Sequence, residues 1–347
     1  MAVRILEGDC RDLLKTLDAG SVHCCVTSPP YFGLRDYGVD GQIGLEETPQ
    51  QFVAAMVAVF EEVRRVLRED GVCWVNLGDS YATSPAGNKT FKHGAIFDGR
   101  DMSGHQDGSK RSKVVDGLKP KDLVGIPWRV AFALQDAGWW LRSDCIWGKP
   151  NPMPESVQDR PTKAHEYVFL LTKSARYFYD AAAVRQTYAE STLREFAEGY
   201  DGTATKDYEA NGVQNASAIK KRIVDKQRGH GRRHAGFNDR WGAMPKDAQQ
   251  QTGSNLRSVW WMSPQPFRGA HFATMPEALA ERCIMAGCPK DGTVLDPFTG
   301  SGTTGVVAVK LGRSFVGCEL NPTYAAMARK RITGEAPLFV QARIGGT

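Results

Sequence analysis

Short apolar runs alternate with longer stretches of helical periodicity along most of the chain. Val3 to Leu6 predicts a first strand ending at Gly8-Asp9-Cys10, and Arg11 to Leu17 a short amphipathic helix with Asp9 as its cap. Val22-His23-Cys24-Cys25-Val26 reads as a buried strand. Phe52, Met56, Val59, Phe60, Val63 and Leu67 then recur at helical spacing from Pro49 onward, and Gly71 is the expected stop. A third strand follows over Val72 to Leu77 and closes on Gly78-Asp79-Ser80-Tyr81. The spacing predicts a helix over 121–137, a strand over 139–147 halted by Pro150, Pro152 and Pro154, and a strand over 165–172. His165, which opens that strand, is equally readable as a substrate contact or a hydrogen-bonded structural residue. Pro276 opens a helix carrying Leu279, Cys283 and Ile284. Thr293-Val294-Leu295, then Val306 to Leu311, then Arg313 to Cys318 complete a strand, a helix and a strand. This alternation predicts an α/β fold with a doubly wound, mainly parallel sheet.

Two stretches break the pattern. Residues 83–120 are rich in Gly, Ser, Lys and Asp without apolar periodicity, and read as a mobile loop within the main domain. Residues 182–262 are polar and basic in the middle. Between Asn215 and Pro245 stand eight lysines and arginines against two aspartates, with His230, His234, Phe237 and Trp241 interleaved. Lys220, Lys221, Arg222, Arg228, Arg232 and Arg233 suit contacts to a phosphate backbone, although a solvated charged face has the same composition. The predicted organisation is a main domain from 1–181 and 263–335, an insert at 182–262 and a tail at 336–347.

Charge and composition change this picture little. The chain has 347 residues, 41% of them apolar, and a net charge of +5, so the distribution of charge matters more than its sum. The eight cysteines form no Cys-x-x-Cys pair and mostly have apolar neighbours, which predicts reduced, buried thiols of a cytoplasmic protein and no metal site. No apolar run approaches the roughly 18 residues a membrane span needs, so no membrane partner is expected.

The chemistry concentrates in two loops. Asp296-Pro297-Phe298-Thr299-Gly300-Ser301-Gly302-Thr303-Thr304-Gly305 sits between a predicted strand and a predicted helix. Glycines there let the backbone turn sharply and approach a ligand, and the helix start offers N–H groups. Glu319 ends the next strand about 20 residues on, where an acid can hold ribose hydroxyls. Together they predict a nucleoside-cofactor half-site. The second loop, Thr27-Ser28-Pro29-Pro30-Tyr31, follows a strand, and its prolines fix two φ angles. The Ser28 hydroxyl and the Pro29 carbonyl offer two acceptors and Tyr31 a flat face, which suits the exocyclic amine of a nucleobase. Such an amine is a poor nucleophile, and holding both hydrogens out of plane would expose its lone pair. No acid within the loop is placed to take a proton beforehand.

The two loops resemble the catalytic and cofactor motifs of DNA amino-methyltransferases, which use S-adenosyl-L-methionine to methylate adenine N6 or cytosine N4. The order, catalytic loop first and cofactor loop last with a basic insert between, is similar to the family's circularly permuted β group, phage or orphan type. The resemblance implies a Rossmann-like methyltransferase fold and a target-recognition role for 182–262. It implies that Asp296, Phe298, Thr299, Gly300, Ser301, Gly302 and Thr303 surround the methionine part of the cofactor, that Glu319 binds its ribose, and that Asp9 and Cys10 lie near its adenine. Phe272, Thr274 and Pro276 occupy the family's short motif before the cofactor loop. Ser28, Pro29, Pro30 and Tyr31 would hold a base flipped out of double-stranded DNA. The longer stretch from Ser28 to Gly38 tilts the target narrowly toward adenine N6, with cytosine N4 the alternative. A homodimer, and either a solitary enzyme or the modification half of a restriction–modification pair, are the family expectations. The rival reading is a cofactor-sensing DNA-binding protein without turnover, and the intact catalytic loop argues against it.

Overall fold

The computed structural model describes residues 1–82, 117–188, 253–264 and 275–335, together with the backbone of 341–342. The chain divides into two units, one formed by Met1–Asp180 with Arg257–Thr347 and the other by Ala181–Leu256.

In the first unit the described strands are β1 (Ala2–Glu7), β2 (Val22–Thr27), β3 (Leu67–Leu77), β4 (Trp140–Gly148), β5 (His165–Thr172), β6 (Val259–Trp261), β7 (Thr293–Asp296), β8 (Ser314–Glu319) and β9 (Gln341–Ala342). They form one sheet in the order β6-β4-β5-β3-β2-β7-β8-β1-β9. Every pairing is parallel except those of β5, which runs antiparallel to both β3 and β4. The described helices are α1 (Cys10–Leu13), α2 (Pro49–Val66), α3 (Ile126–Asp136), α4 (Glu277–Gly287), α5 (Thr303–Lys310) and α6 (Pro322–Glu335).

The pleat explains how two helical layers share one sheet. Cys25, Cys73, Val75 and Leu77 join the core cluster that contains Phe52, Met56 and Phe60 of α2 and Ile126 and Val130 of α3. Their alternating neighbours Cys24, Val72 and Trp74 face α4, where a Cβ on Gly287 would stand within 3.1 Å of the Cys24 sulfur. With helices on both faces the central strands must be apolar throughout, and Val72–Leu77 is buried without interruption. All eight cysteines are buried and unbridged. Burial pushes the Cys10 and Cys288 thiols up to about 12.

Several boundaries differ from the pattern-based expectation. Helix α2 stops at Val66, not at Gly71, because Leu67 turns extended (ψ 142) and pairs with Val22. The exposed residues Arg68–Asp70 then bulge out before the register resumes at Cys24 and Val72. The helix expected from Lys121 begins only at Ile126, since Gly125 has φ 76 and Leu123 bridges to Tyr81. The stretch expected as one helix from Arg11 to Leu17 is α1 followed by a single 3-10 turn, Leu14–Thr16. Strand β6 falls in the stretch read as insert, yet it pairs with β4. Of the second unit, residues 181–188 and 253–256 are described, and Gln186 and Ser254 exchange backbone hydrogen bonds of 2.9 and 2.7 Å. Among the described residues no helix is long and apolar enough to cross a membrane.

Helix α2 is fixed at its start by a reciprocal cap. Thr48 Oγ1 accepts from Gln51 N at 3.2 Å, and Gln51 Oε1 accepts from Thr48 N at 3.1 Å. Thr48→Ala is expected to lower stability by about 1 kcal/mol, read as a fall in the urea midpoint at unchanged slope.

Candidate active site

Strand order decides where a site forms. From β2 the chain crosses through α2 to β3 on one side, and from β7 through α5 to β8 on the other. β2 and β7 are neighbours, so the winding reverses between them. At such a switch point the loops leaving the two strand ends splay apart and open a crevice. The loop after β2 is Ser28-Pro29-Pro30-Tyr31 and the loop after β7 begins at Pro297. Both line one cleft of about 1130 Å³.

The tie between the two loops is a hydrogen bond across 269 residues of sequence. Thr27 Oγ1 donates to Asp296 Oδ1 at 2.6 Å, and both side chains are buried. Asp296 Oδ1 also accepts from Phe298 N at 3.0 Å, which starts the glycine turn. Burial raises the Asp296 carboxyl to about 6, against the lowering effect of its hydrogen bonds. Gly300 (φ 52) and Gly302 (φ 86) occupy the left-handed region, and Gly302 caps α5. Arg331 Nη1 braces the turn, donating to Ser301 O at 2.6 Å and Ser301 Oγ at 2.9 Å. Glu319, at the end of β8, accepts from Gly300 N at 2.7 Å and from Asn321 N at 2.8 Å. Burial raises its carboxyl too.

Asp9, Cys10, Ser28, Pro29, Pro30, Tyr31, Asp296, Phe298, Thr299, Gly300, Ser301, Thr303 and Glu319 all line this cleft. Gly302 lies behind the turn, where a Cβ would stand 2.9 Å from that of Ala328. Asp9 does cap α1, accepting from Arg11 N at 2.8 Å, and the Arg11 guanidinium holds its carboxyl below the usual range. Phe272, Thr274, Lys220, Lys221, Arg222, Arg228, Arg232 and Arg233 lie outside the described residues.

The residues present fit S-adenosyl-L-methionine. The cofactor carries an ammonium, a sulfonium and a vicinal ribose diol, and the cleft holds the carboxyl groups of Asp296 and Glu319. Among the described residues a Cβ at Gly300 would meet only Phe298 O, at 3.9 Å, which leaves room for a ligand to approach that side of the turn.

A second, charged layer of the cleft is not apparent from the motifs. Asn76 ends β3 as a buried polar residue in an apolar run, which is the one signal the sequence offers. Its neighbours are Ser28, Tyr31 and Glu166. Lys149 pairs with Glu166 at 2.5 Å. Lys163 Nζ donates to Asp79 O at 2.7 Å, and burial lowers its pKa. The Asp79 carboxylate accepts from Gly125 N at 3.1 Å and Ile126 N at 3.0 Å, which starts α3. Tyr31 is half-buried among these groups, and desolvation together with Glu166 pushes its hydroxyl well above the usual range. His165 lines the same cleft with its ring edge-on to Tyr167.

A permuted, doubly wound sheet with a glycine turn, an acid at the next strand end and a rigid Ser-Pro-Pro-Tyr corner in one crevice defines a nucleoside-cofactor methyltransferase. The DNA methylase family profile matches residues 22–330, and the chain belongs to that family: it is an S-adenosyl-L-methionine-dependent DNA amino-methyltransferase of the N6/N4 class. It is 43% identical over 331 residues to the Type II methyltransferase M.Cfr9I of Citrobacter freundii, covering 95% of this chain and 88% of that protein. It is 40% identical over 329 residues to the Type II methyltransferase M.SmaI of Serratia marcescens, covering 95% and 90%. Among solved structures its fold is similar to the Thermus thermophilus protein TTHA0409 in complex with S-adenosyl-L-methionine (TM-score 0.54, 20% identity, 99% of each chain). It is likewise similar to PvuII DNA methyltransferase, described as cytosine-N4-specific (TM-score 0.56, 18% identity, 99% of this chain and 90% of that one).

Proposed function

We propose that this chain methylates cytosine N4 at a specific site in double-stranded DNA, acting on a base flipped out of the helix, as the modification enzyme of a Type II restriction–modification pair. The observation that carries the reading is the Thr27–Asp296 hydrogen bond, which sets the Ser28 corner and the cofactor turn on the same crevice.

S-adenosyl-L-methionine supplies an electrophilic methyl group when bound. Asp296 would hold its cationic end and Glu319 its ribose. Ser28 Oγ and the Pro29 carbonyl accept the two hydrogens of the target amine, which orients the nitrogen lone pair toward the methyl group. The two prolines keep those acceptors from swinging with the substrate. As the new nitrogen–carbon bond formed, the methyl carbon–sulfur bond would break and leave a neutral thioether; the amine, now cationic and acidic, would then pass its proton to solvent, so no strong base is needed beforehand.

The lining of the cleft supports cytosine as the target. Adenine and cytosine both present an amine beside a ring nitrogen acceptor. Cytosine adds a second acceptor, O2, where adenine has a C–H. Lys149 and Lys163 line the cleft with Ser28 and Asn76, and cationic donors reward an extra acceptor but not a C–H. The residues after Ser28 tilt narrowly the other way, toward adenine N6, which is the alternative reading. The target-recognition role of 182–262 and a homodimeric state rest on the family resemblance.

Nucleoside analysis of DNA from cells expressing the chain, with single-molecule sequencing of the same DNA, tests the reading. N4-methylcytosine at one short sequence is the expected result. N6-methyladenine would overturn the choice of base, and unmodified DNA would overturn the activity.

A further inference from the structure

We propose that Glu166 is a positioning residue for methyl transfer: acting through Asn76, it turns the Ser28 hydroxyl hydrogen away from the cleft and leaves the Ser28 oxygen free to accept from the target amine. The inference rests on the amino-transfer reading above and deepens it.

Glu166 stands at the start of β5 with its side chain 12% exposed. Its Oε2 accepts from Tyr31 OH at 2.5 Å and from Asn76 Nδ2 at 3.1 Å, while Oε1 accepts from Lys149 Nζ at 2.5 Å. Asn76 Nδ2 also donates to Tyr167 O at 3.1 Å. A carboxylate and a carbonyl only accept, so both amide hydrogens of Asn76 are committed to that side. Asn76 Oδ1 must therefore face the opposite way, where it lies 3.3 Å from Ser28 Oγ and 3.3 Å from Tyr31 OH.

Tyr31 has one hydroxyl hydrogen, and the shorter contact to a charged acceptor takes it. Asn76 Oδ1 is left to receive the hydrogen of Ser28. A hydroxyl has one hydrogen and two lone pairs, so fixing the hydrogen also fixes the lone pairs. The direction matters because an exocyclic amine whose own lone pair is delocalised into its ring offers hydrogens and little else. A Ser28 hydrogen pointed at it would repel it. Lys149 pairs with Glu166 and balances its charge beside the half-buried Tyr31 ring.

The test is a double-mutant cycle on the full-length protein, read as single-turnover transfer of tritiated methyl to duplex DNA. Glu166→Gln keeps the side chain's shape but lets its amide nitrogen face Asn76, which frees the Asn76 amide to rotate. It is expected to slow transfer roughly 10- to 100-fold with cofactor affinity unchanged, and the fall in melting midpoint from the lost Lys149 pair should be the same with and without the Ser28 hydroxyl. In a Ser28→Ala background the same change should cost less than about twofold, because no hydroxyl remains to be turned. Asn76→Ala, the second variant, should show the same dependence on Ser28. A loss of equal size with and without the Ser28 hydroxyl, or a wild-type rate in Glu166→Gln, would overturn the proposal. The wild-type arm tests the functional reading by itself: if that protein transfers no methyl group to DNA, both fall.

Discussion

Gly78→Ala is expected to slow methyl transfer by about 100-fold while leaving affinity for S-adenosyl-L-methionine within about twofold of wild type. The effect is steric and reaches the reaction through Tyr31. A Cβ on Gly78 would stand 2.8 Å from Tyr31 Cδ2, 3.1 Å from Cζ and closer still to Cε2. The ring has nowhere easy to go. Its hydroxyl is held by Glu166 at 2.5 Å, and its backbone follows two prolines with fixed φ. The added methyl therefore displaces either the ring or the whole corner. A shift of about 1 Å in a substrate-positioning group is enough for a loss of this size. Gly78 does not have a positive φ, so alanine is compatible with its backbone and the fold should survive. The cofactor turn lies on the other strand end and is not touched. Single-turnover transfer measured beside calorimetric cofactor binding separates the two effects. Near-normal transfer would show that the Tyr31 ring need not be held where the structure has it.

The same glycine illustrates what the sequence can convey. Gly78 reads as ordinary strand-end punctuation, and only the coordinates reveal a ring packed on it. Elements built from local signals are legible: a buried run, a glycine turn and an apolar helix are enough to predict β7, the cofactor turn and α5. Capping is legible at Asp9 because an N-cap needs only its own next few residues. Features that depend on strand order are not. The Thr27–Asp296 bond exists because β2 and β7 are neighbours, and no spacing rule predicts contact across 269 residues. Strand β5 reads as one more strand of a parallel series, and its reversal comes from the connection over 149–164, which has no crossover helix and turns the chain straight back beside β4, between it and β3. Glu166 escapes a reading of the sequence for a related reason. An acid at the start of a strand normally faces water, and here β4 and the Tyr31 corner close over it. Strand β6 is three residues long and has polar flanks, too little for periodicity to register.

Asp296→Asn is expected to weaken S-adenosyl-L-methionine binding by about 30-fold at pH 8 and to remove most of its dependence on pH in the acid range. In the cofactor-free protein, burial raises the Asp296 carboxyl from its ordinary 3.8 to about 6. A group whose folded value is raised in this way adds stability below its unfolded value and loses that contribution as the pH climbs through about 6. Above that pH the protein carries a buried carboxylate with Thr27 and Phe298 as donors but no opposite charge among the causes that set its pKa. In the proposed binding mode the cationic end of the cofactor would supply one. It favours the ionised form, so binding at pH 5 must expel a proton from the side chain. Affinity should then rise by up to tenfold per pH unit below about 6 and level off above it. Titration calorimetry at pH 5 in two buffers of different ionisation enthalpy reads the released proton directly. Wild type should release close to one proton per cofactor at pH 5 and none at pH 8, and the asparagine variant should release correspondingly fewer at pH 5. Equal proton release by the two proteins would mean that the Asp296 carboxyl does not sense the cofactor's charge. The buried Thr27 bond would then be a purely structural link between the two strand ends, and the cation would have to be held by another acid of the cleft, of which Glu319 is the nearest along the cofactor turn.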